Sequence, residues 1–385
     1  MNRSLIRAFL LVFVSGIAMS GWPAPASPPE LDVRKSDQAK IADEAQRMLM
    51  RRGVVLADTP ALSYMNAVML RIRGNDTSAM PFRILIVKSY DPNAASYANG
   101  LLIICTGALA VIDNETQLAF LLAHEMAHYS LNHHVRERHV MHEKSLELLR
   151  QQMASAFFLG GLALLGADNS FREMMCGFSR GLEKEADRLA LKWIIRAGYD
   201  AHVALMLFKN MQTRTGKDTL GGPDALQTHP TISERISLSQ SYLAGIKLPA
   251  TFRSTDAAVF LRSLKKVYFV NAQECLAASE FSLAQQSIEV CLRLEPSSPS
   301  ALATKAGVFL MRREGHDLDS AMTFYRKVIA SDAMFATAHR DLGYCHFLRG
   351  HCDSAAFCFD QYLRLNPAAT DGVFIRFYRR YADEK

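Results

Sequence analysis

The segment His124-Glu125-Met126-Ala127-His128 determines how the rest of this chain can be interpreted. On a helix, residues four positions apart lie on one face, so both imidazoles can reach one metal ion. Glu125 lies about 100° around the helix from His124, so its carboxylate can reach a water molecule at the metal without binding the metal itself. Zinc lowers the pKa of such a water towards about 7, so a carboxylate can take its proton during attack on a carbonyl. The segment predicts a zinc site with Glu125 as general base.

The residues around this segment favour a helix. Asp113-Asn114 can cap a helix that begins near Glu115 and runs through Leu131. A second long helix is predicted over about residues 171–197, and Gly198 ends it, since glycine is common just after a helix.

A catalytic zinc ion needs a third protein ligand, and two candidates compete. His134 lies ten residues after His124, but that arrangement needs a glycine where this chain has Leu131, so that the chain can turn back. The other candidate is Glu183, the first residue of Glu183-Lys184-Glu185-Ala186-Asp187. Asp187 shares its helix face, so one carboxylate can bind zinc while the other holds a ligand histidine. We therefore predict one zinc ion per chain, bound by His124, His128 and Glu183.

Composition limits the classes of protein that this chain can represent. It has 385 residues, of which 49% are hydrophobic and 21% charged, as is typical of a folded chain with two or three domains. The net charge of +6 is mild, and basic residues run together only in pairs. Nucleic acid is therefore not an expected partner. Because there are seven cysteines, at least one thiol stays unpaired within the chain.

The first 26 residues have the features of an export signal. Arg3 and Arg7 give a positive start, residues 8–19 are mostly apolar, and Ala24-Pro25-Ala26 supplies the small residues that signal peptidase accepts. The apolar run is short for a membrane span. We expect a cleaved signal peptide over residues 1–26, with an uncleaved anchor as the alternative.

An uncharged segment, residues 153–167, lies between the two predicted long helices. It is shorter than the roughly 20 residues that cross a bilayer. Two interpretations stay open: a buried helical hairpin or lid over the site, and contact with a membrane surface.

The sequence before residue 106 predicts a small sheet, and the sequence after Lys265 predicts a repeat. Strand-like patterns occur at residues 82–87, 94–98 and 101–105. Equivalent alanines then recur after 37 and 34 residues, each four positions before a bulky residue: Ala284, Ala321 and Ala355. Gly307 and Gly343 occupy the small position of the preceding helix. This pattern resembles the tetratricopeptide repeat and predicts a small helical solenoid.

With these motifs, the sequence resembles the gluzincin metallopeptidases related to the CAAX prenyl proteases. Their mark is His-Glu-x-x-His followed, some tens of residues later, by Glu-x-x-Ala-Asp, here at 124–128 and 183–187. The likeness covers about residues 35–245, with repeats over 265–369. It implies that His124, His128 and Glu183 bind zinc and that Glu125 is the general base.

The resemblance also implies roles for residues outside the ligand set. Asp187 matches a residue assigned as an acid or as a group beside the ligands. His229, in Thr228-His229-Pro230, would face the zinc, where it could polarise the substrate carbonyl or fill the fourth metal position in a resting enzyme. Arg235 would hold the developing oxyanion. Asn93 matches a further family motif.

The expected fold is α+β, and the expected function is that of a secreted, periplasmic zinc metalloendopeptidase acting on protein substrates in envelope or outer-membrane protein quality control. The expected parts are a mostly helical zincin-type protease domain with a small sheet (27–250), a linker (251–264), and a tetratricopeptide-repeat domain with a C-terminal capping helix (265–385). The repeats would bind a partner, such as the outer-membrane assembly machinery. The alternative is a chaperone or adaptor that acts through the repeats, although the intact Glu125 argues against a purely non-catalytic role.

Overall fold

The computed structural model describes residues 28–74, 82–137, 178–216 and 230–383. Within these ranges the chain is mostly helical and contains a small mixed sheet, as predicted. The predicted signal peptide, the uncharged segment 153–167 and His229 lie outside the described residues. No helix in the described ranges is both long and apolar enough to cross a membrane.

Two helices precede the sheet, and its centre is a fully buried strand. The elements are α1 (Pro28–Arg51), α2 (Thr59–Arg73), β1 (Arg83–Val87), β2 (Ala94–Ser96) and β3 (Leu101–Cys105). β3 runs parallel to β1, with Leu101 opposite Arg83, and antiparallel to β2, with Ile104 opposite Ala94. Every residue of β3 is buried, which explains its unbroken apolar sequence. The strand order β1-β3-β2 leaves β2 at an edge of the sheet.

A short helix, α3 (Thr106–Ala110), follows β3 and packs closely against the chain before β2. A Cβ atom at Gly107 would lie 2.1 Å from the backbone oxygen of Tyr90 and 2.5 Å from that of Asp91. The Gly107 N–H also donates a 2.8 Å hydrogen bond to the backbone oxygen of Ser89. This approach of two backbones requires glycine.

Helix α4 (Glu115–Ser130) carries the 124–128 segment and is buried along most of its length. The side-chain oxygen of Asn114 caps it by accepting a 3.1 Å hydrogen bond from the Gln117 N–H. Around it pack α2, α5 (Arg180–Arg196) and α6 (Ala201–Thr215), and α7 (Ile232–Ala244) packs on α5 and α6. The site is therefore built where α4 meets α5.

Glu115 anchors the first turn of α4 from inside the protein. Its buried carboxylate accepts hydrogen bonds from three groups on other elements: the Tyr64 hydroxyl, the Arg71 guanidinium at 2.8 Å and the Tyr199 hydroxyl at 2.7 Å. These bonds tie α2 and the chain after α5 to α4. They fix the direction in which α4 enters the core.

The remainder of the described chain is helical, and each helix from α9 to α15 packs against the next. The bounds are α8 (Ala257–Ser263), α9 (Lys265–Ala277), α10 (Phe281–Leu294), α11 (Pro299–Arg312), α12 (Asp317–Ser331), α13 (Ala336–Leu348), α14 (Cys352–Leu365) and α15 (Gly372–Asp383). A Cβ atom at Gly343 would lie 2.7 Å from the Phe359 ring, and one at Gly307 would lie 3.2 Å from the Leu276 side chain. Small residues therefore allow close approach of helices at the two positions where the sequence predicted it.

The largest apolar core continues from the sheet and α4 into α8 and α9. Phe260, in the predicted linker 251–264, is fully buried in this core. The Tyr268 hydroxyl of α9 donates a 2.8 Å hydrogen bond to the backbone oxygen of Ile112. Apolar burial and a buried hydrogen bond thus join α9 to the rest of the chain.

Six cysteines lie in the described residues, and all are free thiols. Cys352 is half-buried. The others are buried: Cys105, Cys275, Cys291, Cys345 and Cys358.

Candidate metal centre

His124 and His128 meet on the buried face of α4, as their spacing predicted. Their Nε2 atoms lie 3.0 Å apart, and their ring planes are inclined by 77°. The exposed fractions of the two residues are 7% and 1%. The two imidazoles therefore converge on one point with very little water around them.

Glu183, in the first turn of α5, completes the group. Its Oε2 lies 3.3 Å from Nε2 of His124, and its Oε1 lies 3.7 Å from Nε2 of His128. One ligand atom from each of His124, His128 and Glu183 can be chosen so that all three atoms lie within 4.8 Å of one another. Within the described ranges, no other group of three histidine, cysteine, aspartate or glutamate residues meets this condition. Two imidazole nitrogens and one carboxylate are the ligands of a catalytic zinc site with an open fourth position.

The hydrogen bonds around the ligands fit a bound metal as well. Nδ1 of His124 lies 3.0 Å from Oδ1 of Asp187, so a proton on Nδ1 leaves the Nε2 lone pair free for the metal. Asp187 is itself held by Arg235, whose Nε and Nη2 donate to its two carboxylate oxygens at 2.9 Å and 2.6 Å. The Arg235 guanidinium lies over the Phe208 ring, 4.5 Å from its centroid. Arg235 and Asp187 thus form a rigid support behind His124.

The negative charges of Glu183 and Asp187 are balanced by the positive charge of Arg235 and by the hydrogen bonds of His124. Burial alone would raise the carboxyl pKa values, but Arg235 and His124 outweigh burial and hold the pKa of both Glu183 and Asp187 below the usual values. Burial lowers the pKa of His128 well below its usual value. For His124, burial and Arg235 favour a lower pKa, but the carboxylates of Asp187 and Glu183, which accept hydrogen bonds from the imidazole, outweigh them and raise the pKa to about 9. The centre thus keeps two carboxylates ionised in the protein interior, as a cation site requires.

Glu125 is buried beside the ligand group, and burial raises its pKa to about 7. The Ser96 hydroxyl of β2 lies near its carboxylate and favours the ionised form. Ser96 Oγ also lies 3.5 Å from Nε2 of His134, whose ring stacks on Tyr97. Glu125 is therefore connected to the edge strand of the sheet.

His134 is not among the three residues that come together, so the geometry favours Glu183 as the third ligand candidate. The turn after α4 passes through Asn132, which has a φ of 53°, and it directs the following histidine inwards. That residue, His133, is fully buried, with Nδ1 2.9 Å from Nδ1 of His128. The ring of Phe178 stacks on that of His128, with centroids 4.0 Å apart.

Sequence reasoning identified His124, Glu125, His128, Glu183, Asp187 and Arg235, and the structure brings all six together. It missed three residues that contact this group: Ser96, His133 and Phe178. The one available signal was the histidine pair at 133–134. Asn93 lies just before the edge strand β2 and its backbone oxygen accepts a 3.0 Å hydrogen bond from the Cys105 N–H.

The sequence comparisons agree with this geometry. Residues 63–242 match the model of peptidase family M48. This range contains the ligand candidates, Glu125, Asp187 and Arg235.

Among individual proteins, the chain is similar to the β-barrel assembly-enhancing protease of Escherichia coli (strain K12), with 25% identity over 257 residues, covering 62% of this chain and 52% of the relative. The Yersinia pestis protein of the same name is 27% identical over 221 residues, covering 54% and 44%. The mitochondrial metalloendopeptidase OMA1 of Bos taurus is 31% identical over 164 residues, covering 40% and 30%. The chain thus spans about half the length of the β-barrel assembly-enhancing proteases that it matches.

The matched residues include the whole buried centre, in which a helix with two histidines and a glutamate meets a second helix with two carboxylates. Over residues 63–242, the chain therefore resembles peptidase family M48, a family of metallopeptidases.

Proposed function

We propose that this chain is a zinc-dependent metalloendopeptidase that hydrolyses peptide bonds in protein substrates. The observation that carries the proposal is the buried group His124, His128 and Glu183 with the carboxylate of Glu125 beside it. A closed structural zinc site would use four protein ligands, whereas three ligands leave a position for chemistry.

The chain's own residues have distinct tasks in this reaction. Zinc held by the three ligands would polarise the scissile carbonyl and lower the pKa of a water molecule. Glu125 takes the proton of the attacking water on a carboxylate oxygen and passes it to the leaving amine. Its burial beside the ligand group places it where both transfers would occur.

Asp187 and Arg235 serve this chemistry from behind His124. Asp187 keeps the His124 proton on Nδ1, and Arg235 binds both oxygens of Asp187. Stabilisation of the oxyanion by Arg235 remains a prediction. In this structure, two nitrogens of Arg235 bind Asp187, and the third, Nη1, lies 3.5 Å from a carboxylate oxygen of Glu183. For His229 both predicted roles remain open: polarising the substrate carbonyl, or filling the fourth metal position in the resting enzyme.

We further propose that substrates bind as an extended strand along β2. This strand lies at the sheet edge, pairs only with β3 among the described strands, and contains Ser96, which contacts the general base. Backbone hydrogen bonds to such an edge bind many sequences, which suits a protease of unfolded segments.

The setting of this activity is proposed from the expected signal peptide and from the names of the relatives. Two relatives are named β-barrel assembly-enhancing protease, so we propose that the chain acts in the periplasm on envelope or outer-membrane proteins. We propose that α9–α15 form tetratricopeptide repeats, and that these bind the outer-membrane assembly machinery or a substrate. The close helix approach at Gly307 and Gly343 supports the repeat assignment.

The replacement Glu125→Gln tests the proposed activity. An amide cannot accept the proton of the attacking water, so casein cleavage should fall about 10²–10⁴-fold while zinc content is retained. The control is Glu44→Gln, which changes an exposed carboxylate on α1 and should cleave at the wild-type rate. Wild-type cleavage by Glu125→Gln would refute the proposal, and zinc-loaded wild type without any cleavage would favour the chaperone or adaptor function.

A further inference from the structure

His133 is a fully buried histidine that the proposed reaction does not use. It follows the turn at Leu131 and Asn132, and begins a helical segment of residues 133–137. Asn132 adopts a left-handed conformation, with φ at 53°, which asparagine tolerates better than most residues. This turn places the imidazole of His133 behind that of His128.

The 2.9 Å separation between Nδ1 of His128 and Nδ1 of His133 allows one proton arrangement when His128 binds a metal. A metal on Nε2 of His128 needs the lone pair of that atom, so the proton of the neutral ring sits on Nδ1. Nδ1 of His133 must then accept this proton in a hydrogen bond. The proton of His133 is consequently on its own Nε2.

Nε2 of His133 is buried and makes no hydrogen bond within the described residues, but Oε2 of Glu185 lies 3.5 Å away. Glu185 is fixed from its other side by Arg136, whose two terminal nitrogens donate to its oxygens at 2.6 Å and 2.9 Å. A small rotation of Glu185 would bring its oxygen into hydrogen-bond distance of His133. The carboxylate of Glu185 thus favours the tautomer that His128 requires.

We propose that His133, backed by Glu185 and Arg136, is a positioning residue that holds His128 in the metal-binding tautomer and orientation. The inference rests on the proposed zinc function. The arrangement parallels the support of His124 by Asp187 and Arg235, so each ligand histidine has a carboxylate and an arginine behind it. Removing such a support commonly weakens metal binding 10–100-fold.

Zinc affinity, measured by competition with a chromophoric chelator, tests the inference without reference to hydrolysis. His133→Leu removes the acceptor for the His128 proton, so zinc binding should weaken about 10–100-fold. His133→Asn places an amide oxygen near the position of Nδ1, so its affinity should return close to wild type. A rescue by asparagine cannot be explained by packing, because asparagine fills the site less well than leucine.

Glu185→Ala provides the second variant, because this side chain is 45% exposed and its loss leaves the core intact. It should weaken zinc binding several-fold, and the matched control Glu289→Ala, which removes an exposed carboxylate paired with Lys305 on α10 and α11, should not. Wild-type affinity in folded His133→Leu or in Glu185→Ala would overturn the inference. Failure of the inference can be distinguished from failure of the proposed function. The proposed function would fail if the zinc-loaded wild-type protein hydrolysed no substrate.

Discussion

Glu183 reaches the two histidines from a second helix, whereas His134, only six residues after His128, contacts Ser96 instead. At the scale of single residues, this difference decides which side chain completes the ligand set. A carboxylate brings negative charge to the cation, and its low pKa keeps it ionised at neutral pH.

We therefore predict opposite effects for two substitutions. Glu183→Gln replaces a charged ligand with a neutral amide and should lose most of its zinc on dialysis, whereas His134→Ala should keep the wild-type zinc content. Metal content by atomic emission after dialysis distinguishes them. The reverse ranking would restore His134 as the third ligand.

The residues that the sequence could predict are those whose roles depend on helix periodicity. His124, His128, Glu183 and Asp187 follow from spacings of four on two helices, and the family resemblance added Arg235. His133 could not be predicted, because its contact with His128 depends on the left-handed turn at Asn132. Glu185 lies two residues from Glu183 and so off the helix face that Glu183 shares with Asp187, and no spacing revealed that it faces His133 from another helix.

At the scale of elements, the apolar and turn patterns predicted which helices and strands exist better than they predicted the residues at which these begin and end. Strand β3 has the predicted bounds, and α4 differs by one residue, ending at Ser130 rather than Leu131. β2 ends at Ser96 rather than 98, because the chain turns there and the Gly100 N–H bonds to the Tyr97 oxygen. Helix α1 begins at Pro28, since proline is tolerated in a first helical turn. Helix α3 was missed, because five residues are too few to show a helical period.

The contact between α3 and the loop before β2 supports a prediction about Gly107. Gly107→Ala would place a methyl group against two backbone oxygens that cannot rotate away, so the protein should lose about 2 kcal/mol of unfolding free energy or more. Gly181→Ala is the matched control: its new methyl group meets no atom within 4 Å, and alanine favours the helix. Urea unfolding monitored by circular dichroism should show the first variant less stable than wild type and the second at least as stable. Equal stabilities would contradict the described packing.

At the scale of the whole molecule, the main apolar core crosses the predicted boundary between the two functional parts. Tyr268 and Phe260 are buried in it, and the Tyr268 hydroxyl is bonded to the backbone of Ile112. The positions of the domain boundaries remain predictions. The packing nevertheless implies that the part that resembles M48 and helix α9 stabilise each other.

This continuity predicts that the two parts begin to unfold together. Trp193 on α5 is the one tryptophan outside the expected signal peptide 1–26, so its fluorescence in the chain without that peptide reports on the M48-like part alone. Circular dichroism reports on all helices, including α9–α15. The two urea transitions should have the same midpoint. A fluorescence transition that is complete before the helical signal changes would show that the M48-like part unfolds independently.

The buried free thiols have a consequence for how the chain must mature. A thiol reacts with oxidants and disulfides as its thiolate, and burial raises the pKa of Cys105, Cys275, Cys291 and Cys345 to about 12. In the folded chain, these four thiols are therefore shielded from oxidants and disulfides. While it is still unfolded, the same thiols have ordinary reactivity, and any bond between them would have to be broken before the core could close. Folding thus competes with oxidation, and the rate at which the core closes determines how much of the protein reaches the native state.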